Sequence, residues 1–302
     1  MERLDALKVK LAQQDPTLEL LEQEPMSRHT TFRVGGPVSL MARPRSAQQA
    51  ALAVRAAAEE GIAPFFLGNG SNLLVPDDGV DAFVIQTVDG LGDLRVEGTC
   101  ITAGSGVLLS RLAAFARDCG LTGLEFAHGI PGSLGGAVTM NAGAYDGEMA
   151  QVVSEVTYLN AAGQVETTNR FDFSYRHSAF SDGKRLILGA QIQLQKGDPD
   201  AIRACMDELM ERRRSKQPLE YPSAGSTFKR PQGHYAAALI DQCGLKGLTV
   251  GGAQVSEKHA GFVINKGGAT CADILELMDQ VRRRVYDQTG VTLEPEVKLL
   301  GR

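Results

Sequence analysis

Cysteine is scarce in this 302-residue chain and never closely paired: Cys100, Cys119, Cys205, Cys243 and Cys271 are scattered and odd in number. With no C-x-x-C, a zinc ribbon and a disulfide framework are both disfavoured. A basic excess is missing too. Lys and Arg total 31 against 36 Asp and Glu, a formal net charge of −5. That argues against a nucleic-acid or membrane-surface protein, since both normally need a basic face. No apolar run approaches bilayer length, and MERLDALKVKLAQQD at the start lacks the apolar centre of a secretory signal. There is no internal repeat, no low-complexity segment and no G-x-x-x-x-G-K-[ST], which excludes a P-loop. The simplest expectation is a reduced, cytoplasmic protein without metal, nucleic-acid or membrane partners. The sequence leaves the oligomeric state open, with a monomer as the default.

What is plentiful is glycine, 34 residues of it, in a chain otherwise 43% apolar and 22% charged, the profile of an ordinary globular protein. The length suits one large domain or two to three smaller ones. Strand and helix signals alternate. Ser46 with Gln49 caps a helix over 46–60, stopped by Gly61. Strands are predicted over 64–68, 81–87, 152–160, 164–168 and 185–195, and helices over 107–119 and 199–216. Two prolines and a glycine in SKQPLEYPSAGS mark a domain boundary near residue 215. Beyond it a helix is predicted near 235–243. A longer one over 271–288 has Thr270 as cap and Ile274, Leu277, Met278, Val281 and Val285 on one face. VTLEPEVKLL then closes the chain with strict period-2 alternation. The fold class is α+β or mixed α/β in two or three lobes.

Three glycine-rich stretches stand out: LGNGSNLL (67–74), AGSGVLLS (103–110) and the uncharged GIPGSLGGAVTMNAGAY (129–145). The first two contain G-x-G but lack the third glycine of the dinucleotide fingerprint. Glycines let backbone N–H groups converge on one anion, and uncharged surroundings let a large ring lie against the chain. Gly132, Gly135 and Gly136 would permit that approach. Asn69, Ser71, Asn72, Ser133 and Asn141 could hydrogen-bond a pyrophosphate or a heterocycle edge. The plainer alternative is tight turns between packed strands.

Eight segments in order, HTTFRVGGP, LGNGSNLLV, GIPGSLGGAVTMNAGAYDGE, FSYRHSAF, SAGSTFKRP, LIDQCGLKG, VSEKHAGFVIN and LEPEVKLLG, closely resemble the UDP-N-acetylenolpyruvoylglucosamine reductases. The resemblance covers the chain from about residue 29 onward. It implies an FAD-binding fold of the vanillyl-alcohol-oxidase/PCMH type with two α+β subdomains, 1–88 and 89–214. A C-terminal α+β substrate domain over 215–292 would follow, with residues 293–302 returning to the active site. It also implies non-covalent FAD, NADPH as hydride donor, and hydride transfer to the enolpyruvyl ether of UDP-N-acetylglucosamine to give UDP-N-acetylmuramate. The implied flavin residues are Arg33, Gly68, Asn69, Gly70, Ser71, Asn72, Leu73, Gly129, Pro131, Gly132, Ser133, Gly135, Gly136, Asn141 and Gly143.

Hydride addition to an enolpyruvyl group leaves an enolate that must be stabilised and then protonated. Arg176 fits the first task, because a guanidinium meets a carboxylate at two points and keeps its charge. Alternation places Glu294 and Glu296 on one face, and physics alone does not separate them. The family motif selects Glu296 as acid or hydrogen-bonding partner and Ser226 as proton donor. Implied substrate contacts are Tyr175, Lys229, Arg230, Gln254, Lys258, His259 and Asn265. Arg176 and Ser226 are close in sequence, so the chain resembles the shorter members, which lack a tyrosine-bearing insertion. Arg230 stands where other members carry asparagine. Two rival readings stay open here. One is a flavin oxidase of the same fold, with His128 or His29 as a possible tether. The other is a non-catalytic nucleotide-sugar binder.

Overall fold

A computed structural model describes residues 2–301. The chain forms two compact units, one of residues through Glu22, Ser39–Asn69 and Asp81–Arg212, the other of Gln23–Val38, Gly70–Val80 and Arg213 onward.

The first unit carries helices α1 (Glu2–Gln14), α2 (Ala47–Glu59), α3 (Leu109–Asp118) and α4 (Leu134–Met140), and most of α5 (Pro199–Lys216). Two sheets organise it. One orders strands Glu19–Pro25, Pro37–Arg43, Val80–Gln86 and Phe65–Leu67, the last two parallel. The other is antiparallel and orders Val165–Thr168, Val153–Leu159, Leu186–Gln193, Cys100–Gly104 and Leu94–Glu97. The first sheet is therefore drawn from residues 19–86 and the second from 94–193. Each has its own apolar core. Leu7 and Leu11 of α1 and Ala50, Ala53, Ala56 and Ala57 of α2 pack with Leu40, Phe83 and Ile85. Leu109, Leu112 and Ala116 of α3 and Ile202 and Met206 of α5 pack with Ile101, Val156 and Ile192.

Local signals explain these elements. Ser46 Oγ accepts the Gln49 N–H at 3.2 Å, the expected cap of α2. Pro199 opens α5, where its missing N–H costs nothing. Sequence patterning missed α1, because only Leu7 and Leu11 of its polar face-rich run are fully buried. It also missed Glu19–Pro25, an acidic strand at a sheet edge, where charge is tolerated. The glycine-rich run 129–145 is not all loop. Leu134–Met140 is helical, and Asn141 closes it in the left-handed region at φ +43°.

The second unit packs α6 (Ala236–Gln242) and α7 (Cys271–Thr289) with a three-stranded antiparallel sheet of Thr249–Val250, Ala253–Val255 and Val263–Asn265. All five apolar residues predicted for one face of α7 are buried. At its N-terminus Thr270 and Asp273 form a reciprocal capping box, and Asp77 accepts the N–H groups of Cys271 (2.7 Å) and Ala272 (3.0 Å). The expected strand at 291–300 is laddered only at Lys298–Leu299, which pairs parallel with Leu73–Leu74. Pro295 makes only an isolated antiparallel bridge, to Phe228. The alternation survives nonetheless: Leu293 and Val297 are buried while Glu294 and Lys298 are exposed.

Thr270→Ala removes half of the capping box and should cost about 1 kcal/mol. Urea unfolding should show a lower midpoint at unchanged slope; an unaltered midpoint would mean that Asp77 alone suffices to cap α7.

Candidate active site

The first glycine-rich stretch, as far as Asn69, meets the other two within the first unit. Leu109 N donates to Gly132 O (2.9 Å), Leu134 N to Val107 O (2.8 Å) and Gly135 N to Ser105 O (2.8 Å). Asn69 Nδ2 donates to Pro131 O at 2.8 Å. The glycines play two different roles here. A Cβ on Gly135 would lie 3.0 Å from Ser105 Cβ, so its absence serves chain packing. A Cβ on Gly68 would collide with Ser133 Oγ. At Gly136 a Cβ would meet nothing nearer than Ser133 Oγ at 3.8 Å, and the residue is exposed. The cradle has no charged side chain among Gly129–Gly136, yet Ser105 Oγ and Ser133 Oγ are buried without a hydrogen-bond partner. Buried orphan hydroxyls are costly unless a ligand completes them. An uncharged, glycine-lined surface with two such hydroxyls fits a dinucleotide cofactor. Ser105 was not singled out in the sequence, where a lone serine beside G-x-G carries no distinct signal.

Arg176 sits in a two-residue turn of the same unit. Ser174 and His177 exchange both backbone hydrogen bonds at 3.1 Å. Arg176 itself is left-handed at φ +55°, a conformation that side chains rarely adopt outside constrained sites. Its guanidinium lies 5.1 Å from the centre of the exposed Tyr175 ring, and Nη2 donates to Gly143 O at 3.4 Å. Gly143 is glycine for packing, since a Cβ there would lie 2.6 Å from Gly147 O. Ser178 and Ser181 both donate to Thr139 O, at 2.9 and 3.0 Å, which ties the segment after the turn to α4.

Ser226 and Glu296 lie in the second unit, where backbone pairing joins Glu296 to Thr227, the residue after Ser226. Glu296 N donates to Thr227 O at 2.8 Å, and Lys229 N to Glu294 O at 2.9 Å, around a bridge between Phe228 and Pro295. Thr227 is fully buried, and its Oγ1 accepts the Val263 N–H at 3.0 Å. Ser226 beside it is exposed. The structure also distinguishes the two glutamates: Glu294 is 68% exposed and pairs with Lys229 at 3.2 Å, whereas Glu296 is half-buried. Lys298, next on that face, is exposed as a residue, but partial desolvation of its ammonium group, and then the Lys229 cation, lower its pKa.

The remaining flavin-motif residues of this unit are braced by their neighbours. A Cβ on Gly70 would collide with His29 O, and Thr31 Oγ1 donates to Ser223 O at 2.6 Å. Arg33 is exposed and left-handed at φ +56°. Ser71 is half-buried, and Leu73 is buried in its short parallel ladder.

The expected substrate residues fall into two sets. Tyr175, Lys229 and Arg230 are exposed, with the Arg230 guanidinium stacked 3.9 Å from the Tyr235 ring centre. Gln254, His259 and Asn265 point inward instead. Gln254 donates to Thr249 Oγ1 (3.0 Å), and Asn265 donates to Phe32 O (3.0 Å) while accepting from Gly267 N (2.9 Å). Lys258 donates to Arg214 O at 2.5 Å. His259 Nδ1 accepts the Gly261 N–H at 3.1 Å, and its ring stacks edge-on with Phe262.

Two α+β layers and an uncharged glycine cradle define an FAD-dependent oxidoreductase of the vanillyl-alcohol-oxidase/PCMH fold. The profile of the FAD binding domain matches residues 38–169. That fold is shared with Phl p 4.0202, a glucose dehydrogenase, at a TM-score of 0.51 and 14% identity over 97% of this chain and 64% of that one. The profile of the UDP-N-acetylenolpyruvoylglucosamine reductase C-terminal domain matches residues 217–300. The reductase of Agathobacter rectalis is 48% identical over 96% of this chain and 97% of its own, and that of Clostridium novyi 49% over 91% and 90%. The crystal structure of the Thermus caldophilus reductase superposes with a TM-score of 0.80 at 34% identity, covering 93% of this chain and 98% of that one. The chain belongs to the UDP-N-acetylenolpyruvoylglucosamine reductase family.

Two outcomes follow from this geometry. Gly136→Val should leave the fold intact and lose flavin, whereas Gly135→Val should lower thermal stability through its clash with Ser105. Flavin absorbance per protein and a melting curve separate the two, and full flavin occupancy in Gly136→Val would contradict the cradle. His259 gives a pH dependence. Burial lowers its pKa from 6.5, with Lys246 adding to the effect. The folded state therefore takes up this proton less readily than the unfolded chain. Its stabilising contribution is complete above about pH 6.5 and falls away as pH drops below that value. His259→Gln should flatten the acid side of the stability curve measured by urea unfolding; an unchanged slope would refute the assignment.

Proposed function

We propose that this protein reduces the enolpyruvyl ether of UDP-N-acetylglucosamine enolpyruvate to UDP-N-acetylmuramate, in the cytoplasm, with NADPH as electron source. The observation that supports the chemical assignment is the backbone pairing of Glu296 with Thr227, the residue after Ser226, while Glu294 pairs with Lys229. Residues 1–88 and 89–214 would serve as flavin subdomains and 215–292 as the substrate domain.

Bound FAD would carry the two electrons from NADPH and deliver hydride to the terminal carbon of the enolpyruvyl group. The backbone at Gly68, Gly129, Gly132 and Gly136, with the hydroxyls of Ser105 and Ser133, would hold it. No charged group lies in that cradle to oppose the cofactor's own phosphates.

After hydride addition the neighbouring carbon carries an electron pair delocalised into the carboxylate. Arg176 would meet that carboxylate at two points and stabilise the enolate. Ser226 Oγ would give its proton to the carbon, forming the new C–H bond and leaving the oxygen to recover a proton from solvent. Glu296 would hydrogen-bond the enolate side of the substrate as it forms. Tyr175, Lys229 and Arg230, all exposed, would contact the nucleotide and its phosphates.

Stopped-flow spectroscopy of the flavin separates the two halves of the cycle. Ser226→Ala should bleach with NADPH at the wild-type rate and reoxidise with the enolpyruvyl substrate about 10²–10⁴-fold more slowly, the usual worth of a general acid. Glu296→Gln should slow the same half. Glu294→Gln should change neither, because an exposed ion pair contributes little. Wild-type reoxidation by Ser226→Ala would remove the serine from the mechanism.

A further inference from the structure

We propose that the carboxamides of Asn141 and Asn72 are positioning residues, Asn141 for the turn that carries Arg176 and Asn72 for the segment that carries Glu296. The inference rests on the roles proposed above for Arg176 and Glu296.

Both asparagines lie in stretches with the look of ligand loops, yet their side chains are engaged within the protein. Asn141 is 1% exposed. Its Oδ1 accepts the Ala150 N–H at 2.9 Å, and its Nδ2 donates to Ser174 O at 3.1 Å. Only one orientation of the amide satisfies both neighbours, since an N–H can face only the oxygen and a carbonyl only the NH₂. Ser174 O also accepts the His177 N–H that closes the turn around Arg176. Asn141 thus grips the turn at its base, one residue before Tyr175. Its own backbone is left-handed at φ +43°, a conformation Asn adopts more readily than most residues. Residue choice at this position therefore serves the helix end and the turn together.

Asn72 plays the matching part in the other unit. Its Nδ2 donates to Glu296 O at 3.1 Å, and its backbone O accepts the Lys298 N–H at 3.1 Å. Glu296 is therefore held at both backbone groups, the carbonyl by Asn72 and the N–H by Thr227 O. A charged side chain that must meet a developing charge loses about 10²-fold in rate for a displacement of about 1 Å. Clamping the backbone on either side is how a fold limits that displacement.

Asparagine to aspartate keeps the size and removes the donor, setting a carboxylate oxygen against the carbonyl it used to bind. The flavin-loaded enzyme is compared as wild type, Asn72→Asp, Asn141→Asp and Asn141→Gly, the last tolerating the left-handed backbone. Each single variant should slow reoxidation by the enolpyruvyl substrate about 10–100-fold, with bleaching by NADPH within about 2-fold of wild type. Double-mutant cycles give the readout that a merely structural role would not move. Asn141→Gly in an Arg176→Lys background, and Asn72→Asp in a Glu296→Gln background, should be no slower than Arg176→Lys or Glu296→Gln alone. Multiplied losses in the double variants, equal slowing of both half-reactions, loss of flavin, or failure of Asn72→Asp or of both Asn141 variants to fold would overturn the positioning role of the residue concerned. Wild-type rates in Arg176→Lys and Glu296→Gln would instead refute the roles proposed for those two residues. If these two are slow while the asparagine variants react normally, only the positioning inference fails.

Discussion

The hydrogen bond from Glu296 N–H to Thr227 O is the constraint on which the chemistry proposed for the second unit depends. It joins two segments far apart in sequence and sets the serine motif beside the glutamate motif. One such bond contributes only about 1 kcal/mol net, so it does not stand alone. Thr227 also donates its N–H to Gly261 O and receives the Val263 N–H on its hydroxyl. Phe228, Leu293 and Val297 bury the other face of the pair. Polar alignment sits on an apolar base, and neither would hold the geometry without the other. Pro295 has a part in this too. Its bridge to Phe228 uses the carbonyl of Glu294 and the N–H of Glu296, so it needs no N–H from the proline.

The two units meet different electrostatic demands. The cradle in the first unit is neutral, with hydroxyls and backbone groups in place of charges. A neutral polar surface can bind an anionic cofactor without pairing it to a cation that would then be buried with it, a costly arrangement unless geometry is very good. The second unit keeps its charges near solvent. Lys229 and Glu294 pair on the exposed face, and Lys298 nearby has its proton affinity reduced by partial desolvation and by Lys229. Glu296 is the half-buried carboxylate of the group, partly withdrawn from water on a clamped backbone. That withdrawal strengthens any hydrogen bond it makes to a developing charge.

Much of this was legible in the sequence, for particular reasons. The helix α7 announced itself through a five-residue apolar face and a Thr cap, and both signals are local. The division of the two units between Arg212 and Arg213 lies beside the proline- and glycine-bearing SKQPLEYPSAGS. The strand and helix signals of residues 46–216 likewise came from periodicity within each segment. What stayed hidden depends on contacts between distant segments. Gln23–Val38 and Gly70–Val80 group with the C-terminal part of the chain, and no break in composition marks that. Motif likeness grouped Asn72 and Asn141 with flavin ligands, because a polar side chain in a glycine loop reads the same whether it faces a ligand or a neighbouring carbonyl. Glu294 and Glu296 could not be told apart by alternation. The cross-strand pairing with Lys229 separates them, and no single-segment pattern contains it.

Glycine makes the same point at the level of single atoms. The opening impression of this chain is of bare backbone awaiting a ligand, but most of those glycines answer to the protein itself. Gly70 makes room for His29 O, Gly135 for Ser105 and Gly143 for Gly147. Gly136 differs, since a Cβ there would make only an ordinary contact, 3.8 Å from Ser133 Oγ. A glycine required by chain packing and one kept free for a ligand are identical letters, and only the distance to the nearest atom tells them apart. The loops are thus rigid first and receptive second. Close backbone packing at several glycines fixes the shape of the cradle, and in the proposed role that fixed shape would let Gly136 and two unpartnered hydroxyls meet a cofactor without the entropy cost of ordering a loose loop.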